Sequence, residues 1–390
     1  MEKVRLGDVA TVITKGTTPT SVGYDFVDKG VNFIKIESIS ETGSFIKDKF
    51  AYISSECNDK LARSKLQEND ILFSIAGAIG RVAIVDKSIL PANTNQALAI
   101  IRIPKGIYEY GFLKYVLKSP IISKQFEKQK QGVAQINLSL KNIGDLTIPV
   151  LAVELQKKIT CKLDRLVDLI KKRKQQLLKL DELVKSRFVE MFGDPVSNPH
   201  GFDKVELSDL ADIKIGPFGS LLHKEDYISG GYALVNPSHI IDGKIVTDDE
   251  LTISTEKYSE LSAYHLQIGD VVLGRRGEMG RCAVVSAENL LCGTGSLLIR
   301  SNGEVIADFI QNIISFPSFK KSIEDMAVGQ TMPNLNVPIV SQFQIIKPPI
   351  EMQNDYYNFV KQVDKSKFEI KQSLEKLELL KKALMQKYFG

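Results

Sequence analysis

The chain has 390 residues, of which 43% are apolar and 25% are charged, a composition typical of a folded globular protein. This length is too great for one hydrophobic core and sufficient for two domains. The formal net charge is only +4. No apolar run approaches the roughly 18 residues of a membrane span, and the first ten residues lack the apolar core of a secretion signal. We therefore expect a cytoplasmic protein without a membrane segment.

The cysteines predict no covalent framework. Cys57, Cys161, Cys282 and Cys292 form no CxxC pair and lie in apolar or helical surroundings. We expect packed free thiols rather than disulfides or zinc ligands.

Residues 1–150 predict a mixed α/β domain whose short strands are separated by glycines. Ile71–Ile75 and Val82–Val85 have the composition of strands, and the glycine-rich segment Ser74–Arg81 joins them. A dinucleotide-binding fingerprint needs a strand, the glycines and then a helix, so a tight hairpin is the better interpretation. Gly274–Arg281 has the same context in the second half of the chain.

A heptad stripe predicts one long helix over residues 151–193. Apolar residues follow one another at alternating steps of three and four, and only Arg173 and Arg187 interrupt them. A helix about 60 Å long cannot bury this stripe against itself and needs a partner helix. The contact positions are Ile159, Leu163, Leu166, Ile170, Leu177, Leu180, Val184 and Met191.

A second domain and a second long helix follow. Residues 194–204 form a linker that opens with Asp194-Pro195 after Gly193, which ends the first helix. The second domain covers residues 205–347, and residues 348–390 repeat the heptad stripe. Its contact positions are Val360, Val363, Ile370, Leu374, Leu377, Leu384 and Tyr388.

The two halves of the chain are copies of one unit. Leu6–Gly16 matches Leu207–Pro217, and Asp70–Val85 matches Asp270–Val285. Further matches join Gly132–Val150 to Gly329–Ile346, Glu154-Leu155-Gln156 to Glu351-Met352-Gln353, and Phe192-Gly193 to Phe389-Gly390. The chain is therefore a globular domain plus a long helix, written twice.

This repeat predicts an α+β architecture with internal pseudo-twofold symmetry. Because the linker is short, the second helix must run back along the first, which places two mixed α/β domains at opposite ends of an antiparallel two-helix coiled coil. Residues 17–65 and 218–264 have little in common beyond length. A common scaffold with different loops indicates two domains that bind two versions of one kind of ligand.

The long helices carry the basic charge. Val153–Phe192 holds eleven basic and six acidic residues, and Ile350–Phe389 holds eight and six, so the rest of the chain sums to about −3. The densest basic run is Lys171–Lys174. Two interpretations stay open, a solvated helix face or contact with a nucleic-acid backbone or an acidic partner.

The sequence contains no motif of a familiar catalytic site. It has no GxxxxGK[ST] loop, no HExxH, no GxSxG and no Asp/Asn-Pro-Pro-Tyr/Phe segment of the amino-methyltransferases. His200, His223, His239 and His265 lack the spacing of metal ligands. We expect neither catalysis nor a bound cofactor or metal in this chain.

Several residues are candidates for DNA contact. The arginines beside the glycine-rich hairpins suit phosphates, and Asn, Lys, Ser or Thr next to strands suit base edges. Each can instead be a turn residue or a solvated side chain. The hairpin candidates are Arg81, Arg275, Arg276 and Arg281, and the loop candidates are Lys15, Thr17, Thr18, Lys35, Asn93, Asn95, Ser220, Asn236, Ser238 and His239.

The doubled order of motifs resembles a known family. Both domains open with Leu-x-Asp-Val/Leu-Ala, at Leu6–Ala10 and Leu207–Ala211, and both approach their helix through Ile-Pro or Pro-Pro followed by Glu-x-Gln. The first helix ends in Lys185-Ser186-Arg187-Phe188 and Met191–Pro195. Over its whole length the chain resembles the DNA-specificity subunit of type I restriction-modification systems.

The resemblance implies a fold and a set of partners. Each globular part would be a target-recognition domain that reads one half of a bipartite, asymmetric site in double-stranded DNA, and the helices would set the spacer and hold two methyltransferase subunits. The chain itself would be non-catalytic. Partner subunits would methylate adenine with S-adenosylmethionine, and ATP- and Mg²⁺-dependent restriction and translocase subunits would cut unmodified DNA.

Two other functions stay open from the sequence. One is a coiled-coil scaffold whose domains bind non-DNA ligands, and the other is a solitary enzyme with a nucleotide at one hairpin. Because the recognition domains together are close to neutral, we also expect weak DNA binding by the isolated chain.

Overall fold

The computed structural model describes residues 2–127, 138–218, 221–326 and 334–390. The chain forms two compact units. The first comprises Met1–Gln175 and Ile370–Gly390, and the second comprises Gln176–Glu369. Each unit thus combines one globular domain with a part of each long helix, a grouping that the linear order of the predicted segments does not convey.

The first domain consists of short strands and helices. Its strands are β1 (Lys3–Arg5), β2 (Val12–Lys15), β3 (Val31–Ile34), β4 (Ala51–Ile53), β5 (Ile71–Ser74), β6 (Val82–Ile84), β7 (Ala92–Thr94), β8 (Leu98–Arg102) and β9 (Thr147–Pro149). Its helices are α1 (Leu6–Val9), α2 (Ser55–Lys60), α3 (Tyr110–Leu117), α4 (Pro120–Glu127) and α5 (Leu140–Gly144), followed by the long helix α6 (Val153–Phe192).

The second domain repeats these elements in the same order and adds the short strands β12, β14, β15 and β17. Its strands are β10 (Lys204–Glu206), β11 (Ala211–Ile215), β12 (Tyr227–Ile228), β13 (Tyr232–Val235), β14 (Ile240–Ile241), β15 (Lys244–Ile245), β16 (Thr252–Ile253), β17 (His265–Leu266), β18 (Val271–Gly274), β19 (Cys282–Val284), β20 (Leu290–Cys292), β21 (Ser296–Ser301) and β22 (Gln344–Ile346). Its helices are α7 (Leu207–Leu210), α8 (Thr255–Glu260), α9 (Ala307–Ser315), α10 (Pro317–Met326) and α11 (Val337–Ser341), followed by the long helix α12 (Ile350–Phe389).

A four-stranded antiparallel sheet in the order β2-β8-β5-β6 forms the centre of the first domain. Phe73 and Ile101 belong to the core on the side of α3, whereas Leu72 and Ile100 belong to a second core with Ile34 of β3. The second layer is the sheet β4-β3-β7, in which β3 and β7 run parallel. The inner strands β5 and β8 are mostly apolar because both faces of the central sheet are covered.

The second domain repeats this architecture. Its central sheet has the order β11-β21-β18-β19, and its second sheet has the order β12-β16-β13-β20-β17 with β13 parallel to β20. Leu273 and Ile299 face the helical side, and Val272 and Leu298 face the second sheet. The predicted internal repeat and the α+β class are therefore confirmed.

A buried ion pair recurs at equivalent places in the two central sheets. Arg102 holds Asp70 with two hydrogen bonds of 2.7 Å, from Nε and from Nη2. Arg300 holds Asp270 in the same way, at 2.8 and 2.7 Å. Asp70 is fully buried and Asp270 nearly so, so each carboxylate depends on its arginine for charge compensation.

In the first unit, the beginning of α6 packs against the end of α12. The ring of Phe389 lies 5.4 Å from that of Phe112 in α3 and shares a core with Leu163. Further along α6, Lys174 pairs with Glu378 at 2.9 Å. Residues later in α6 therefore contact residues earlier in α12, so the two helices are antiparallel here.

In the second unit, the end of α6 packs against the beginning of α12. The ring of Tyr356 lies 5.5 Å from both Phe188 and Phe192. Lys367 pairs with Asp181 at 2.7 Å, which again makes the pairing antiparallel.

The residues of the predicted heptad stripe are buried or half-buried in α6 and α12. Arg173 and Arg187 are half-buried within it, as the sequence predicts. The predicted coiled coil is therefore confirmed within each unit. Buried or half-buried stripe positions are Ile159, Leu163, Leu166, Ile170, Leu177, Leu180, Val184, Met191, Val360, Val363, Ile370, Leu374, Leu377, Leu384 and Tyr388.

A buried glutamine attaches each long helix to its domain. Gln156 accepts a hydrogen bond from the backbone N–H of Glu109 at 2.8 Å and donates one to the carbonyl of Leu151 at 2.8 Å. Gln353 repeats both contacts with Ile306 and Pro348, at 3.0 and 2.9 Å. Glu109 and Ile306 are the N-cap residues of α3 and α9. Each glutamine therefore joins the beginning of a long helix to the beginning of a helix in the adjacent domain.

The cysteines are free thiols. Cys57, Cys282 and Cys292 are buried, and burial raises the pKa of Cys282 and of Cys292 to about 12. Cys161, in contrast, is exposed on α6, which corrects the expectation that all four are packed.

Candidate nucleic-acid interface

The two glycine-rich segments are hairpins, as predicted. β5 pairs antiparallel with β6, and β18 with β19. The turns need glycine because Gly77 and Gly80 have φ of 67° and 90°, and Gly277 and Gly280 have φ of 83° and 74°, where other residues are strained. No helix follows either turn directly, which removes the basis for a dinucleotide site.

The arginine that ends each hairpin turn donates to backbone carbonyls of a neighbouring segment. Arg81 donates from Nη1 to the carbonyls of Ile36 at 3.2 Å and Ile39 at 2.8 Å. Arg281 donates from Nη1 to the carbonyl of Pro237 at 3.3 Å. Nη1 of each guanidinium is therefore engaged, and in Arg281 Nη2 also pairs with Glu278. The phosphate contacts predicted for both arginines stay a prediction.

The second hairpin turn also carries the other two predicted arginines. Arg275 is half-buried and donates from Nε to the carbonyl of Leu335 at 3.0 Å, and burial together with the adjacent Arg276 lowers its pKa. Arg276 is exposed and makes no hydrogen bond or ion pair with the described part of the chain. Of the two, Arg276 has the geometry of a residue free to meet a phosphate.

A shared carboxylate braces the same turn. Glu278 lies 2.8 Å from Nζ of Lys320 in α10 and 3.0 Å from Nη2 of Arg281. Its hydrogen bonds with Lys320 and then Arg281 lower its pKa. The turn is thus fixed to helix α10 by charge as well as by packing.

Three of the predicted loop residues of the first domain lie at the end of β2 or just after it, and Lys35 follows β3. Lys15 ends β2 and Thr17 follows it, both half-buried. Thr18 donates to Oε1 of Gln96 at 2.5 Å, and Gln96 is exposed. Nζ of Lys35 lies 4.5 Å from the centre of the Phe26 ring, a cation–π contact.

Two predicted DNA contacts are core residues, and the prediction is corrected for them. Asn93 is fully buried and donates to Oδ1 of Asn58 at 2.9 Å and to the carbonyl of Leu61 at 3.1 Å. His239 is 6% exposed, and its Nδ1 lies 2.7 Å from the carbonyl of Leu234. Their polar atoms satisfy buried backbone groups, which a surface duplex cannot reach.

The remaining predicted residues divide between turns and open surface. Oδ1 of Asn95 accepts from the backbone of Ala97 at 3.1 Å, and Oδ1 of Asn236 accepts from Gly295 at 3.4 Å, so both serve turns. Ser238 is exposed. Ser220 lies outside the described residues.

The two globular domains differ in charge. Residues 1–150 hold 20 basic and 15 acidic residues, whereas residues 205–347 hold 11 basic and 18 acidic residues. The two domains together are close to neutral, as expected, only because the first is basic and the second is acidic. Backbone attraction to a polyanion should come chiefly from the first.

The basic run on α6 is partly neutralised. Lys172 pairs with Asp168 of the same helix at 2.8 Å, and Lys174 pairs with Glu378 at 2.9 Å. Lys171 is exposed. The run is therefore a mixed surface rather than four available cations, which favours the solvated-face interpretation for Lys172 and Lys174.

Neither a metal site nor a membrane span is present in the ranges that the structure describes. No group of three or more His, Cys, Asp or Glu residues there could hold a metal ion. No helix in those ranges is both long and apolar enough to cross a bilayer.

Comparisons with known proteins agree with the resemblance. A family model described as type I restriction modification DNA specificity domain matches residues 1–180 and 199–381. The EcoBI specificity subunit of Escherichia coli is 30% identical over 174 residues, 43% of this chain and 36% of that protein. The MjaVIII specificity subunit of Methanocaldococcus jannaschii is 22% identical over 405 residues, 98% of this chain and 91% of that protein.

A solved structure supports the fold. A chain from a study of complex assembly and conformational transition of the type I R-M system has a TM-score of 0.67 and 18% identity, covering 100% of this chain and 97% of that chain. The family model covers both globular domains and most of both long helices. The chain therefore belongs to the type I restriction-modification DNA specificity family and is a DNA-recognition subunit.

Proposed function

We propose that residues 1–150 read one half of a bipartite, asymmetric DNA site and that residues 205–347 read the other half. The observation that carries this proposal is that both domains have the same arrangement of sheets but differ in the sequences of their exposed segments. Two half-sites with different sequences require such a pair of readers, since base edges are discriminated by side chains while the scaffold only positions them.

The long helices set the spacer and hold partner subunits in this proposal. Each helix is continuous over 40 residues. Several apolar side chains face solvent beside the buried stripe, and exposed apolar groups of this kind favour protein docking. We assign them to two methyltransferase subunits; these residues are Leu155, Leu169, Leu178, Leu183, Val189, Phe368, Leu379 and Leu380.

The chain acts without chemistry of its own. Partner methyltransferase subunits would supply S-adenosylmethionine and modify adenine, and restriction and translocase subunits would supply ATP, Mg²⁺ and cleavage, in the cytoplasm. The lack of catalytic motifs in the sequence supports this division. The alternative of a coiled-coil scaffold for non-DNA ligands gains no support from the family comparisons.

We expect the isolated chain to bind its bipartite duplex weakly, and the methyltransferase subunits to tighten binding by about tenfold or more. The reason is that the second domain neutralises few phosphates, so a surrounding positive clamp is needed. Fluorescence titration of a duplex carrying the motif methylated in the host, with and without those subunits, measures the change.

The control is a duplex with both half-sites scrambled. Equal affinity of the isolated chain and the complex for the bipartite duplex would refute the clamp. Equal affinity of the complex for bipartite and scrambled duplexes would refute the proposed function itself.

A further inference from the structure

A short helical turn follows β3 in the first domain and the equivalent strand β13 in the second. We call it the post-strand turn, residues 36–39 in the first domain and 237–240 in the second. Ile36 and Pro237 occupy equivalent places, each two residues beyond the end of β3 or β13. The turns have different sequences, Ile-Glu-Ser-Ile and Pro-Ser-His-Ile, and both lie in the parts of the domains that differ most.

The hairpin arginine holds this turn by its backbone. Arg81 reaches the carbonyl of Ile36, and Arg281 reaches the carbonyl of Pro237. A guanidinium bound to a carbonyl is indifferent to the side chain at that position. The same tether can therefore support turns of unrelated sequence, which is what a domain with exchangeable specificity requires.

A second side chain secures the segment beyond each turn, again through a carbonyl. Lys118, at the end of α3, donates from Nζ to Glu41 at 2.5 Å. Gln311 of α9 donates from Nε2 to Gly243 at 2.9 Å.

In the second domain the tethers add to the hydrogen bonds of the post-strand turn itself, such as the bond of 2.9 Å from the backbone N–H of His239 to the carbonyl of Asn236. A groove of about 570 Å³ lies under the turn, lined by Ser238, Arg281, Gln311 and Lys320 among others. Ile240 is buried in the core behind. Packing thus holds the end of the turn, and the hydrogen bond from Arg281 to Pro237 holds its beginning.

One side chain of each post-strand turn faces solvent. Glu37 and Ser238 are exposed, whereas the residues after them, Ser38 and His239, are buried. Neither exposed side chain forms a hydrogen bond with another described residue. A carboxylate accepts from the N4 amino group of cytosine, and a hydroxyl can donate or accept at a base edge.

We propose that Arg81 and Arg281 are positioning residues for DNA reading, each holding a post-strand turn against its hairpin so that Glu37 or Ser238 meets a base edge. The inference rests on the proposed function and deepens it. It differs from the phosphate contact predicted from the sequence, because a phosphate contact adds affinity for every sequence and a positioning contact adds discrimination.

The test uses the complex of the full chain with its methyltransferase subunits and a duplex library with both half-sites randomised. Arg81→Gln should lower discrimination among bases at the first half-site about tenfold, as expected for a lost hydrogen bond to a charged group. Discrimination at the second half-site and the salt dependence of binding should not change. Arg281→Gln should produce the reverse pattern. Because each variant keeps one intact half-site, folding and assembly are checked in the same measurement.

Further variants separate positioning from charge. Arg81→Lys should lose discrimination as Arg81→Gln does, since the shorter lysine side chain does not reach the place of Nη1, which donates to both carbonyls; full rescue by lysine would overturn the proposal. Arg63→Gln removes an exposed charge from the same domain and should leave discrimination unchanged. In the Arg81→Gln background, Glu37→Gln should change base preference far less than it does in the unaltered chain.

The outcomes also distinguish this inference from the function on which it rests. Uniform loss of affinity with a shallower salt dependence would identify Arg81 as a phosphate contact and overturn its positioning role. An unaltered complex that selects no bipartite motif would overturn the proposed function instead.

Discussion

Phe389→Ala is expected to destabilise the first unit by about 3–5 kcal/mol, although residue 389 lies at the opposite end of the chain from most of that unit. Phe389 is 2% exposed, packs against the ring of Phe112 and belongs to the same core as Leu163. Truncation leaves a cavity that the surrounding helices cannot close completely. Hydrogen exchange of the full chain should become faster in α3 and in the beginning of α6, and stay unchanged in α9.

Two matched variants make this prediction specific. Phe192 is the equivalent residue of α6 and packs against Phe309 and Tyr356, so Phe192→Ala should loosen α9 and leave α3 unchanged. Leu379→Ala, in a residue 67% exposed on the same helix as Phe389, should have little effect on exchange. Faster exchange in the second unit after Phe389→Ala would contradict the core assignment.

Arg102→Leu is expected to cost about 3–5 kcal/mol, because it leaves the fully buried carboxylate of Asp70 without its counter-charge. Arg102→Leu combined with Asp70→Asn should recover part of that loss, since no buried charge remains. Denaturant unfolding followed by hydrogen exchange in β5 and β8 measures both variants.

An exposed ion pair provides the comparison. Arg5 and Asp8 lie 2.9 Å apart at the surface, and Arg5→Ala should leave the unfolding transition unchanged, because solvent screens such pairs. If Arg102→Leu were as mild as Arg5→Ala, the burial of Asp70 would not matter energetically. Failure of the double variant to recover stability would point to packing by Arg102 rather than charge.

The features that repeat along the sequence could be predicted. The heptad stripe predicted which residues of α6 and α12 are buried, including the half-buried Arg173 and Arg187. The glycines at 77, 80, 277 and 280 predicted hairpins because only glycine adopts those backbone angles without strain. Both signals are local and periodic, and duplication of the chain presented each of them twice.

Contacts between distant segments could not be predicted in the same way. Asn93 and His239 are polar residues beside strands, and only the fold shows that their partners, such as Asn58 and Leu234, enclose them. Arg81 and Arg281 were recognised as charged residues beside turns, but their backbone acceptors lie about 45 residues away. The equivalence of Gln156 and Gln353 was visible as a matched motif, and their role as helix anchors was not.

The most direct test of the account is to sequence the methylated sites in a host that carries this chain with its partner subunits, and again after residues 1–150 are exchanged for those of another family member. We predict a motif of two short defined blocks separated by a fixed unspecified spacer, and exchange should alter one block only. A single continuous motif, or a change in both blocks after the exchange, would contradict the assignment of one half-site to each domain.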